Sequence, residues 1–306
     1  MTAIAVIAPR PKSRFLLDRP ELVGPLFIAP AILYVFVLVA LPFFLAIYYS
    51  ISAFTIFDPS YRFVGLKNFI DVIDSDIFRR TLINTFVFTI GAQIIGLLLG
   101  KFAAMLLMQE FPGRGLARAL VVLPWAVPVS LATLAWLWMF DSLYSVINWT
   151  LVAIGLDPAR RWQWLGQQDL AMIAVTVVHA WRLFPFGVVI FIAGFTSVPK
   201  DVLDAATVDG AGFWRRNYQI ILPIIAPIIM IAVIFGTVFT FTDLSVVYLL
   251  TKGGPINGTH VLGSLAFQVG ILSGDVAHGA AICLFLFPFL LVAVIFLLRA
   301  LRRREI

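Results

Sequence analysis

Charge is what this sequence most lacks. Of its 306 residues 12% are charged and 61% hydrophobic, and the mean hydropathy is +1.01. Soluble domains carry about 25% charged and roughly 45–50% apolar residues. A 33.9 kDa chain with half that charge cannot cover a water-facing surface, which excludes a soluble enzyme, a disordered chain and a nucleic-acid-binding domain. Cysteine is nearly missing too: Cys283 stands alone, so no disulfide forms within the chain. The three histidines, His179, His260 and His278, make no HExxH and no group of metal-ligand spacing. No GxSxG nucleophile elbow is present. The run from Gly96 to Gly100-Lys101 looks like a phosphate loop, but it is one residue short and lacks the Ser/Thr. It lies in an apolar run and reads as a small-residue face for helix packing. The sequence therefore offers no catalytic residue, no metal site and no nucleotide site of its own.

What is present is apolar length. A hydrocarbon layer about 30 Å thick is crossed by about 20 residues at 1.5 Å each. Charge-free gaps of that length separate Glu21 from Asp58, Arg80 from Lys101, Arg118 from Asp141, Arg216 from Asp243, and Asp275 from Arg299. A further stretch, Leu170 to Phe195, carries one charge, Arg182. The reading is an all-α membrane protein with six transmembrane helices. It divides into an N-terminal tail (1–21), a first transmembrane helix (22–52), an external amphipathic segment (53–80), the remaining transmembrane domain (81–300) and a C-terminal tail (301–306). The first apolar run is too long for a cleavable signal peptide and lacks a small-residue cleavage site, so it is expected to stay in the membrane.

The basic residues give the orientation. Segments 1–21, 108–118, 196–217 and 299–306 hold thirteen Lys/Arg in 62 residues, against seven in 85 for segments 53–80, 141–169 and 248–275. Cytoplasmic loops carry the Lys/Arg excess, so both termini are expected to be cytoplasmic. The net charge of +6 is then a topology signal, and no nucleic-acid partner is implied. Segment 65–80 reads as an interfacial amphipathic helix. Trp149, Trp162 and Trp164, beside Arg160 and Arg161, read as a headgroup-level belt.

Between the fourth and fifth spans lies a polar stretch beginning Ser197-Val-Pro-Lys-Asp. Ser197 is placed to cap a helix, Pro199 suits its first turn, and Asp201 suits its positive end. Val198, Val202, Leu203 and Ala206 share one face, while Lys200, Asp201 and Asp204 share the other. Gly210 is placed to end the helix through a positive φ. Asp204-Ala205-Ala206, Asp209-Gly210-Ala211 and Ile220-Ile221-Leu222-Pro223 together resemble the EAA…G…I-LP loop of ABC importer permeases, with Asp204 in place of Glu. Two more runs resemble the carbohydrate-uptake branch of that family, the maltose and glycerol-3-phosphate type. These are Val64-Gly65-Leu66-Lys67-Asn68-Phe69, and Phe241-Thr242-Asp243 followed by Leu250-Thr251-Lys252-Gly253-Gly254-Pro255.

The resemblance runs from Phe63 to Arg299 and implies a sugar permease of the cytoplasmic membrane, not an enzyme. It implies a coupling helix at about 198–212 that docks into a cytoplasmic ATPase through Asp204, Ala205, Ala206, Asp209, Gly210 and Ala211. The implied partners are a second homologous permease, two copies of the ATPase, an extracytoplasmic sugar-binding protein and the bilayer. ATP and Mg would be bound by the ATPase, and no cofactor by this chain. Gly253, Gly254 and Pro255 fall in an external loop. A glycerol-3-phosphate or polyol permease is the alternative within the family; a membrane-embedded enzyme or stand-alone channel is the alternative outside it.

Arg182 stands about 13 residues past Asp169, roughly 20 Å at helical rise and so near the bilayer middle. A charge there points to a pathway or a site. With Trp181, Phe184 and the nearby Pro185 and Gly187 it suits a sugar, which offers apolar faces and a hydroxyl rim. The alternative is a structural pairing with helix carbonyls or another subunit. Asp243 is the candidate partner in the pathway. Helical rise places it near the outer face, so a direct pair requires a strong tilt or an unwound segment.

Overall fold

The structure, a computed structural model, describes residues 20–156 and 162–302. The remaining residues, including Arg160, Arg161 and most of both tails, lie outside the described part. The chain divides into two compact units, Met1–Tyr48 and Tyr49–Ile306. In the first, α1 (Pro20–Val35) runs through a π-helical turn (Phe36–Ala40) into α2 (Leu41–Ser50), giving an apolar helix from Gly24 to Ser50.

The second unit is helical throughout: α3 (Lys67–Asp74), α4 (Asp76–Met108), α5 (Arg114–Ala126), α6 (Val129–Met139), α7 (Val146–Ala153) and α8 (Gln168–Ser197) come first. Then follow α9 (Lys200–Val208), α10 (Phe213–Arg215) with a π-helical turn (Arg216–Ile221), α11 (Leu222–Phe241), α12 (Ser245–Thr251), α13 (Leu262–Phe267) and α14 (Val276–Arg302). No strand occurs among the described residues; Ser52 and Phe63 form one isolated bridge. Five helices are long and apolar enough to cross a membrane, and a sixth crossing results if the bent pair α5 and α6 counts as one.

Proline decides that bend. Pro128 pushes the residue before it out of the helical region, and Val127 is extended at φ −76, ψ 132. The two helices meet at 97°. The external amphipathic segment also differs from the sequence reading, because it is not one helix to residue 80. Asp74-Ser75-Asp76 are short polar residues that favour helix ends over helix interiors. Ser75 is extended, α3 stops at Asp74, and residues 76–80 open the long helix α4. The first helix likewise ends at Ser50, two residues short of the sequence boundary.

Helices α4 and α8 pack at backbone contact. A Cβ on Gly100 would lie 2.8 Å from the Gly187 carbonyl carbon, and one on Gly187 would lie 3.1 Å from the Gly96 carbonyl oxygen. The Gly96-xxx-Gly100 face is thus where α8 docks. Around this axis Phe88, Val175, Val178, Val246, Val247 and Val261 fill one part of the core. Ala104, Leu107, Val188, Phe191 and Ile225 fill another.

Candidate substrate cavity and docking helix

On α8, His179, Arg182, Leu183 and Phe186 follow the i, i+3, i+4, i+7 spacing of one helix face. They line a cavity of about 300 Å³, together with Trp125 of α5, Phe239 of α11 and residues 242–245. That volume is at the lower end for small-molecule sites. The helix α11 stops at Phe241, and the chain is unwound at Asp243 before α12 begins at Ser245.

This unwound link brings Asp243 to Arg182. Its Oδ1 lies 3.3 Å from Arg182 Nη1, and its Oδ2 accepts the Val246 N–H at 3.1 Å, capping α12. His179 Nδ1 is 3.8 Å from the same carboxylate, and His179 Nε2 is 3.1 Å from Thr240 Oγ1. The Asp243 side chain is 7% exposed and that of Arg182 37%, so it is the guanidinium that a ligand would meet.

The other two pathway residues face elsewhere. Trp181 is one residue, about 100°, round the helix from Arg182 and packs edge-on against Trp136 at 5.6 Å. Phe184 packs into the core between α4 and α8. Neither lines the cavity. His179, Trp125 and Ser245 do line it and were not singled out from the sequence. The signal for His179 was there: it sits three residues before Arg182 on a helix.

The Gly253-Gly254-Pro255 run, expected from the sequence to be external, forms a folded turn. Gly253 has φ +84, and a side chain on it would collide with the His260 ring. Thr259 Oγ1 donates to the Gly254 carbonyl at 2.6 Å, and Asn84 on α4 donates to the Gly258 carbonyl at 2.9 Å. The run thus anchors the loop to the bundle. Burial of the His260 ring lowers its pKa below the usual 6.5, keeping it neutral.

On the opposite side of the bundle α9 lies as a short amphipathic helix. Val198 and Ala206 are buried and Val202 and Leu203 half-buried, while Asp201, Asp204, Ala205 and Asp209 are exposed. Ala206 therefore belongs to the inner face and is not available for docking. The Ser197 hydroxyl donates to the Gly194 carbonyl at 2.7 Å, so it does not cap α9; Pro199 stands at the N-cap instead. At the other end Gly210, at φ +67, closes a Schellman motif: Ala211 N–H donates to the Ala206 carbonyl at 2.9 Å and Gly210 N–H to Thr207 at 3.1 Å. Among the described residues no heavy atom comes within 4 Å of where a Cβ on Gly210 would be, apart from its immediate neighbours.

Long apolar helices, a small cavity of mixed polar and apolar lining and an exposed amphipathic helix are the features of a membrane-embedded helical bundle. The family described as binding-protein-dependent transport system inner membrane component matches residues 96–305, and the chain belongs to it. It is a permease rather than an enzyme, and a multi-pass protein of the cytoplasmic membrane. The trehalose/maltose transport system permease protein MalF of Thermococcus litoralis is 32% identical over 287 residues, covering 94% of this chain and 96% of its own. The sulfoquinovosyl glycerol transport system permease protein SmoG of Agrobacterium fabrum is 28% identical, covering 93% and 92%. Among solved structures, a bacterial ABC transporter for the acidic polysaccharide alginate superposes with a TM-score of 0.79 at 20% identity, covering 94% of this chain and 97% of the other. At that identity the likeness speaks for the fold.

Proposed function

We propose that this chain is the membrane-spanning half of a sugar ABC importer, with six spans, both termini cytoplasmic, and α9 as the coupling helix. It pairs with a second permease and works with two copies of a cytoplasmic ATPase and an extracytoplasmic sugar-binding protein. ATP and Mg are held by the ATPase. The observation that carries the reading is α9 itself. It is a helix ended by a left-handed glycine, its acidic residues Asp204 and Asp209 exposed and its bend open to an incoming partner.

The cavity at Arg182 and Asp243 supports a neutral, hydroxyl-rich substrate. A guanidinium and a carboxylate together supply donors and acceptors with no net charge. The Thermococcus relative points the same way, toward a disaccharide. A glycerol-3-phosphate substrate would need an unpaired cation, and the one cation lining this cavity is paired with Asp243. The test is ATP hydrolysis by the assembled, reconstituted complex against maltose, trehalose and glycerol-3-phosphate. Stimulation by a neutral sugar supports the reading; stimulation by glycerol-3-phosphate alone contradicts it.

A further inference from the structure

Lys101 is a buried cation that neither the cavity nor the docking helix uses. It lies on α4, 7% exposed, with no carboxylate within salt-bridge distance among the described residues. From Arg80 to Lys101 is about 31 Å at helical rise, close to the hydrocarbon thickness. Lys101 thus sits at the far membrane boundary from Arg80. A lysine at such a boundary ordinarily extends its amine into water. This one turns inward: its Nζ lies 4.2 Å from the centroid of the Tyr218 ring.

Tyr218 belongs to the π-helical turn Arg216–Ile221, just after the docking helix and its glycine bend. Trp214 stacks on Tyr218 at 5.7 Å and 18°, and Phe213 meets Trp214 edge-on at 5.3 Å. All three rings are at least half exposed, so little else in the chain holds them. Beside them a cavity of about 160 Å³ separates Met105 and Met108 of α4 from Leu203 of α9, Phe213 and Arg216. The segment leaves this space open against α4, and the Lys101 ammonium on the Tyr218 ring, outside the cavity lining, is a contact that joins it to that helix. One residue before Lys101, Gly100 is in backbone contact with Gly187 of α8, the helix that carries Arg182.

We propose that Lys101 is a positioning residue for coupling: through the Tyr218 ring it ties movement of the docking segment to α4, and through Gly100 and Gly187 to the substrate helix. This rests on the reading of α9 as the ATPase-docking helix. A contiguous path of contacts becomes coupling only when both ends respond to its loss, which defines the experiment.

The experiment measures maltose imported per ATP hydrolysed by the whole importer in liposomes, at matched protein levels. Lys101→Met removes the charge and keeps the length; Tyr218→Leu removes the ring and keeps the bulk. Each should lower the ratio by about threefold or more, as loss of a cation–π contact implies. Lys101→Arg and Tyr218→Phe, which keep cation and ring, should stay near wild type. The double variant Lys101→Met/Tyr218→Leu should fall no further than either single one. An unchanged ratio in Lys101→Met, equal losses in Tyr218→Phe and Tyr218→Leu, or additive losses would overturn the proposal. If Lys101→Met fails to accumulate, the two Tyr218 variants decide alone. Gly210→Val keeps the outcomes apart. If it transports normally, the docking reading fails; if it is uncoupled while Lys101→Met is not, only Lys101 loses its role.

Discussion

Arg182 and Asp243, 61 positions apart, meet at 3.3 Å because the chain unwinds between α11 and α12. Their burial is unequal, and so are the consequences of removing them. Arg182→Ala strands a carboxylate that is 7% exposed, whereas Asp243→Asn still leaves a side-chain oxygen to cap Val246. We predict that Arg182→Ala lowers stability in detergent by on the order of 2 kcal/mol or more. The double variant Arg182→Ala/Asp243→Asn should recover part of that loss in a thermal unfolding assay. Equal melting temperatures for the single and double variants would mean that the pair is not formed.

The same cavity predicts a division among transport variants. Arg182→Ala and Ser245→Ala face the cavity, and Arg182→Ala should weaken substrate affinity by about 30-fold, the loss of a well-placed charged contact. Phe184→Leu faces the core between α4 and α8 and should leave affinity unchanged. Concentration dependence of uptake separates them, and a Phe184→Leu defect as large as that of Arg182→Ala would move the site.

Backbone contact between α4 and α8 makes neighbouring glycines unequal. Gly100→Ala places a methyl 2.8 Å from Gly187 and should destabilise by about 1–3 kcal/mol. Gly96→Ala meets its nearest atom at 3.6 Å, ordinary contact, and should be tolerated. Melting temperatures of the two purified variants test this ordering.

Acid should loosen the loop around His260. A histidine whose pKa is lowered by burial contributes stability that is full above its unfolded value of 6.5 and is lost as pH falls through the folded value. Protection factors at residues 251–262, each taken against the intrinsic exchange rate at that pH, should therefore fall as the pH drops below about 6.5. His260→Gln should flatten that dependence. An unchanged pH profile in the variant would assign the acid lability to another group.

Much of this was legible in the sequence, for identifiable reasons. Long charge-free gaps marked α4, α11 and α14, and a stretch with a single charge marked α8, because burying a charge in hydrocarbon is costly. The spacing of Gly96 and Gly100 marked a close helix contact because only glycine lets two backbones touch. The polar cluster at 197–216 stood out against an apolar background. Illegible were the features set by tertiary geometry. Rise per residue placed Asp243 far from Arg182, since the unwinding at 242–244 has no local signature beyond a few polar side chains. Trp181 and Phe184 were grouped with Arg182 by nearness in sequence, although a helix turns each residue about 100° from the last. Pairing of Lys101 with Tyr218 required knowing where the π-helical turn falls.

Orientation has a direct chemical test. Cysteines at the exposed positions Gln167 and Asn257, in a Cys283→Ala background, should react from outside with an impermeant thiol reagent, while one at Val208 should react only after lysis. The reverse pattern would invert the topology.

The central claim is that the segment around Gly210 couples this chain to an ATPase, and Gly210→Val tests it most directly. A β-branched residue at φ +67 is strained by roughly 1–3 kcal/mol, yet its Cβ would meet no atom of the described residues within 4 Å beyond its neighbours in sequence. Membrane insertion and protein level should therefore stay normal. ATPase capture in a pull-down should weaken, or hydrolysis should become independent of substrate. Normal transport by Gly210→Val at normal abundance would contradict the account.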